Sequence, residues 1–161
     1  TKEVSTIGDI FGVPDKAKTL NDELTGQVKD LTSQASKDSQ HSAAALWVEA
    51  GNSGFYTYGT SSMVQPILEA NGLRNVYDGE RKRVFDATME DVLNRDPEWI
   101  VLLAQEGDIA KTKPAFLKYK GASQLQAVRK NQVVVIPFSL TDPPTPQSIK
   151  GAVELNKLLK K

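Results

Sequence analysis

The segment from Asp86 to Leu103 constrains the fold of this chain more than any other, because it holds a helix start, a helix stop and a buried strand in succession. Thr88 is a good N-cap, and Asp91 falls where a capping box wants an acceptor. Pro97 ends the helix, and Trp99 to Leu103 is an apolar run short enough to be a strand. A helix feeding a buried strand is half of a parallel α/β unit.

The rest of the chain repeats this alternation. Thr1 to Phe11 is a short amphipathic piece, interrupted by Gly12, Val13 and Pro14. Pro14 suits the first turn of a long helix in which Ala17, Leu20, Leu24, Val28, Leu31 and Ala35 form one apolar stripe. Gly26 lies inside that stripe and weakens it. Ser36 to His41 has no period and reads as a loop. Ala43 to Ala50 is the next apolar run, with Trp47 in its core-like pattern, and Asn52 to Gly59 reads as a loop carrying Phe55, Tyr56 and Tyr58. Ser61 or Ser62 can cap a helix over Val64 to Leu68, which Gly72 stops. Asn75 to Tyr77 gives a small strand. Helical patches follow near Pro114 to Tyr119 and Ser123 to Lys130, then a strand at Val133 to Ile136. A turn marked by Pro143, Pro144 and Pro146 leads, with Thr145 as a cap, into a closing helix striped by Ile149, Ala152, Val153, Leu155, Leu158 and Leu159.

Three strong apolar strands alternating with helices predict a three-layer α/β/α lobe, with a mostly parallel sheet of four or five strands preceded by a long helix. Ligands of such sheets gather at the carboxyl ends of the strands, here near 51–58, 104–107 and 138–142. The 161 residues suit one domain, and 20 basic against 20 acidic residues leave no global field for nucleic acid or an anionic membrane. The absence of cysteine excludes disulfides, thiol catalysis and thiolate metal sites. No apolar run approaches the roughly 20 residues of a spanning helix. Thr1 in place of an initiating Met points to a processed or cut product. Ser61 lacks a nucleophile-elbow pattern, and Gly107 begins no phosphate-binding fingerprint, so little here speaks for catalysis.

Four pieces, taken in order, resemble the substrate-binding proteins of ABC importers that carry ferric siderophores, haem or cobalamin. They are Ile7-Gly8-Asp9-Ile10-Phe11-Gly12 with Ala17; Tyr58-Gly59-Thr60-Ser61-Ser62 running to Ala70-Asn71-Gly72-Leu73-Arg74-Asn75-Val76-Tyr77; the 86–103 segment; and Leu125 to Val133. The resemblance implies two α/β lobes joined by a long helix, with ligand held between them. Residues 1–12 would then be the end of the interlobe helix and 13–161 the carboxyl-terminal ligand-binding lobe, the amino-terminal lobe being absent. It implies a monomeric, extracytoplasmic receptor, periplasmic or lipid-anchored, that hands a small metal complex to a membrane permease. No resident cofactor is expected, because an iron complex, haem or cobalamin would be cargo. The metal-binding relatives of the wider group use several His and carboxylates, whereas His41 is the single histidine here, so no direct metal site is expected.

The resemblance also suggests site residues. Glu90 matches an acidic residue presented to permease arginines, although a first-turn carboxylate also serves the helix dipole. Tyr56 and Tyr58 offer flat apolar area with a donor, suited to a siderophore or macrocycle. Arg81 and Arg83, in a basic run with Lys82, suit an anionic complex, and otherwise belong to a solvated face. Phe138 and Asp142 match cleft positions more loosely. Trp47 and Trp99 read as core. The alternatives are an α/β enzyme of reductase or chelatase type, resting on fold alone, and a protein-interaction module.

Overall fold

Ala43, Ala44, Ala45 and Leu46 are wholly buried. A strand can be so only if helices cover both its faces and other strands occupy both its edges. The computed structural model describes residues 2–35, 41–48 and 55–160. Its helices are α1 (Lys2–Ile10), α2 (Pro14–Ala35), α3 (Val64–Ala70), α4 (Met89–Arg95), α5 (Ile109–Leu117), α6 (Gln126–Arg129) and α7 (Gln147–Leu159). Its strands are β1 (His41–Val48), β2 (Phe55–Tyr58), β3 (Leu73–Asn75), β4 (Val84–Ala87), β5 (Trp99–Ala104) and β6 (Val133–Pro137).

The sheet runs β4-β2-β1-β5-β6, with β3 also paired to β1. One edge of β1 is taken by β5 in parallel, from Ala43↔Trp99 to Trp47↔Leu103. The other edge is divided: β3 pairs in parallel with His41 to Ala43, and β2 pairs antiparallel with Leu46 to Val48. Buried polar groups stitch the division. The Thr57 hydroxyl donates to the Ala45 carbonyl at 3.0 Å, Val76 N–H donates to Ala43 O at 2.9 Å, and Asn75 Nδ2 donates to Tyr58 O at 2.8 Å. The Val76 bond is the last rung of the β1–β3 ladder, and the two side chains satisfy carbonyls beside it.

Alternating side chains of the central strands feed two cores. Ala44, Leu46, Ile100 and Leu102 meet Val92, Phe116, Leu125 and Ala127 on the α4, α5 and α6 side. Ala43, Ala45, Val101 and Leu103 meet Leu31, Ile67, Leu68, Ala152 and Leu155 on the α2, α3 and α7 side. The three-layer α/β/α lobe is therefore as expected, preceded by a long helix.

Several details differ from the expectation. Among the described residues the sheet has six strands, and its β2 and β4 pairings are antiparallel. Tyr56 and Tyr58 lie in β2 and not in a loop, and Val84 to Ala87 forms a strand that the sequence pattern does not reveal. Ser62 does not cap α3; its hydroxyl donates to Gly59 O at 2.7 Å, and the N-cap is Met63. The apolar stripe of α2 is narrower than its spacing suggests, because Leu20 and Val28 are exposed while Ala17, Leu24 and Leu31 are buried. Gly26 leaves α2 unbroken. At α4 the Thr88 hydroxyl accepts from Asp91 N–H at 3.2 Å, as a cap should, but the Asp91 carboxylate accepts from Arg95 at 3.3 Å. Glu49 and Ala50 at the end of the second apolar run, residues 51–54, and most of the 36–41 loop fall outside the described residues.

Opposite the carboxyl ends of the strands, Glu98 clips β1 to β5. Its Oε2 accepts from Ser42 N–H at 2.8 Å and its Oε1 lies 3.2 Å from His41 Nδ1. The Ser42 amide first, and then His41, hold the Glu98 carboxyl below its usual range. A depressed folded value means the stabilisation is present above the unfolded carboxylate pKa and is lost as pH falls through the lower, folded one. The expected outcome is that Glu98→Gln lowers the urea midpoint above about pH 5, with the deficit shrinking as pH falls below about 4. A deficit that stays constant across that range would exclude an ionic contribution.

Two glycines give opposite expectations. Gly151 of α7 is packed so closely that a Cβ would lie 2.0 Å from Leu140 O, whereas nothing lies within 4 Å of one built on Gly26. Gly151→Ala should cost about 1–3 kcal/mol, because backbone must move. Gly26→Ala should add roughly 0.4–1 kcal/mol, by removing unfolded-state entropy in an exposed helix. Urea denaturation of both variants measures the two signs directly.

Candidate functional site

Cα partners across a sheet share a face, so the register defines a row of side chains near the carboxyl end: Asp86, Tyr56, Trp47, Leu103 and Ile136. This row lies on the α2, α3 and α7 side of the sheet, and its β2 half is open. Tyr56 is 44% exposed and Trp47 is partly buried against the core. Tyr58, two residues on, faces the same way but is only 2% exposed. Burial first, and then the nearby Asp142 carboxylate, push its phenol well above the usual range, with Arg83 opposing.

The segment after β6 closes over this row. A single tight turn at Phe138–Leu140 leads to Thr141 and Asp142, with Asp142 N–H donating back to Phe138 O at 3.1 Å. The Phe138 ring meets Trp47 edge-on at 4.7 Å, a favoured aromatic geometry. Asp142 then forms an ion pair with Arg83, which precedes β4 on the opposite edge of the sheet. Residues 138–142 are therefore a strap that starts at one sheet edge and is latched to the other. Gly151 supports it from behind, and the Ser139 hydroxyl donates to Glu106 Oε1 at 2.7 Å. Asp142 is 9% exposed and Arg83 58%, so the carboxylate is fixed and the guanidinium reaches in from solvent.

Arg83 is positioned by close packing of its loop on the turn after β2. Gly59 N–H donates to Arg83 O at 3.3 Å, Thr60 N–H to Glu80 O at 2.9 Å, and the Ser61 hydroxyl to Arg81 O at 2.6 Å. A Cβ on Gly59 would lie 2.3 Å from Glu80 O, so only glycine permits this approach. Lys82 turns to the other face, with its Nζ 5.8 Å from the centre of the Phe85 ring. A neighbouring hollow of about 290 Å³ lies beyond β1 and β5, lined by Trp47, Gln105, Asp108, Lys111 and Thr112 among others.

Of the residues singled out in the sequence, Tyr56, Tyr58, Arg83, Phe138 and Asp142 are brought together here, Tyr58 as a buried floor. Arg81 is exposed in the adjoining turn, and the contact it makes to Ser61 is through its carbonyl. Glu90 is exposed on the first turn of α4, which follows the β4 edge. Trp47, which the sequence pattern assigns to the core, packs partly buried against it and also forms the centre of the row. The signal that points to it is its alternation with Leu46, combined with its place one residue from the end of β1. Among the described residues, no group of three or more His, Cys, Asp or Glu is arranged to hold a metal ion, and no helix is long and apolar enough to cross a membrane.

Known proteins give this arrangement a context. Over 148 residues the chain is 26% identical to the high-affinity heme uptake system protein IsdE of Staphylococcus aureus strain MRSA252, the match covering 87% of this chain and 50% of that protein. The chain thus spans about half the length of the curated relatives it matches. Among solved structures, the ABC-type Fe3+-hydroxamate transport system from Saccharomonospora viridis DSM 43017 superposes with a TM-score of 0.88 at 37% identity, covering 99% of this chain and 55% of that one. Staphylococcus aureus IsdE complexed with heme gives 0.78 at 22% identity, covering 99% and 63%. The vitamin B12 binding protein BtuF of Vibrio cholerae gives 0.70 at 18%, covering 92% and 54%. These last two are likenesses of fold. The family model described as periplasmic binding protein matches residues 1–140, and the chain belongs to that family.

Proposed function

We propose that this chain is the carboxyl-terminal lobe of a two-lobed solute receptor of an ABC importer. Residues 1–12 are the end of the interlobe helix and 13–161 the ligand-binding lobe. The cargo is a ferric siderophore, haem or a corrinoid, held between the open aromatic row and the partner lobe and passed unchanged to a membrane permease. The receptor works as a monomer outside the cytoplasm, periplasmic or lipid-anchored, with no catalysis and no resident cofactor. One observation carries this reading: Tyr56, Trp47 and Phe138 form a partly open aromatic shelf at the carboxyl end of the sheet, where a doubly wound fold binds ligand. Family membership and the proteins named above support it. On this reading Glu90, exposed beside the dipole of α4, meets an arginine of the permease.

Titrating the two-lobed protein with a ferric trihydroxamate, haem and cobalamin tests the proposal, because a ligand on the shelf quenches Trp47 fluorescence. Stoichiometric quenching by one of the three, with the ligand recovered unaltered, is expected. Catalytic turnover of any of them, or no binding at all, would overturn it. Tyr56→Ala should weaken binding by roughly 1–3 kcal/mol. Glu90→Lys should leave affinity nearly unchanged and abolish uptake in cells, since a like-charge contact at an interface costs several kcal/mol. If Glu90→Lys transports normally, the docking role is wrong.

A further inference from the structure

We infer that Asp142 sets the charge this face offers its cargo: it masks Arg83, and so selects ferric complexes of zero or positive net charge over anionic ones. The inference rests on the solute-receptor reading and deepens it. Arg83 is the cation that the strap ties to the shelf, yet its guanidinium is committed to a carboxylate held in a buried position. Lys82 lies against Phe85, whose side chain points to the opposite face. Lys111, in the neighbouring hollow, is 3.4 Å from Asp108. Asp86 stands in the shelf row beside Tyr56, and Glu106 adjoins the strap, where its contact is a neutral serine hydroxyl. Carboxylates therefore balance or outnumber available cations around the shelf, with Arg81 the exposed cation of the adjoining turn. The second oxygen of Asp142, Oδ1, is buried without a hydrogen-bond partner among the described residues. A buried carboxylate oxygen without a donor leaves negative potential on this face, which favours a cationic or neutral cargo. A triply anionic catecholate complex would bring more acceptors and more negative charge to the same place.

The experiment is a fluorescence titration of the two-lobed protein with four probes: a cationic ferrioxamine, a neutral ferric trihydroxamate, a ferric tris-catecholate and haem. Wild type is expected to bind the cationic and neutral complexes at least roughly tenfold more tightly than the tris-catecholate. Asp142→Asn keeps the shape of the side chain and frees Arg83, so it should shift the ratio toward the tris-catecholate by roughly tenfold. Adding Arg83→Gln to that variant should abolish the shift. Arg83→Gln alone should strengthen the preference for the cationic probe, with far-ultraviolet circular dichroism checking that the variant stays folded. The inference is overturned if wild type prefers haem or the tris-catecholate, in which case the receptor reading stands without it. It is also overturned if Asp142→Asn weakens all probes equally, the mark of a merely structural latch, or if Arg83→Gln selectively loses the anionic probes. Binding of cobalamin but none of the four overturns the inference and leaves the receptor reading, whereas binding of neither the four nor cobalamin by wild type removes both.

Discussion

The structure depends on the need of β1 to satisfy its backbone while buried on both faces. No single neighbour does so along its second edge. The parallel β3 covers the first residues, and there the chain departs into the loop toward β4. The antiparallel β2 covers the last residues. The hydroxyl of Thr57 and the amide of Asn75 fill the junction, each buried and each bonded to main chain. This division brings β2 back beside the carboxyl end of β1, and so sets Tyr56 next to Trp47. An all-parallel solution of the same edge would have sent those rings apart. The aromatic shelf is thus a by-product of backbone hydrogen-bond satisfaction, and any substitution that disturbs Thr57 or Asn75 will also disturb the shelf.

Much of the fold was legible because its signals are local. The cap at Thr88, the stop at Pro97, the left-handed turn at Gly72 and the long stripe of α2 each depend on residues within a turn or two of one another. The central strands were legible because double burial leaves no polar residue to break the run. The edges were not. β4 holds four residues, follows three cations and is only partly buried, so it has neither apolar period nor turn punctuation. β2 was masked by the glycines around it, which read as a loop although Gly59 serves a close approach of two backbones.

The sequence offered candidate residues one by one but not their arrangement. Tyr56, Arg83, Phe138 and Asp142 carry chemistry suited to a ligand face, and the sequence separates Tyr56, Arg83 and the 138–142 segment by tens of positions. What could not be read was their relation. The pairing of Arg83 with Asp142 depends on a strap that crosses the sheet, which no periodicity describes. Trp47 illustrates the same limit. Its alternation places it on a face, but whether a helix covers that end of the face is decided by where α3 and α7 lie, and those positions are set by distant packing against Leu68, Ala152 and Leu155.

The three consecutive alanines of β1, all without exposed surface, have a consequence for how such a lobe can change over time. Helices on both sides rest against side chains that cannot shrink usefully and cannot grow without forcing the layers apart, so the middle of the sheet has little freedom to drift. The candidate site draws instead on the short antiparallel edge pair β2 and β4 and on a post-strand turn, with Trp47 as its one contribution from the centre. The periphery around Tyr56 and the strap can therefore be rewritten while the scaffold is left alone, a separation that lets surface chemistry drift without first losing a folded protein.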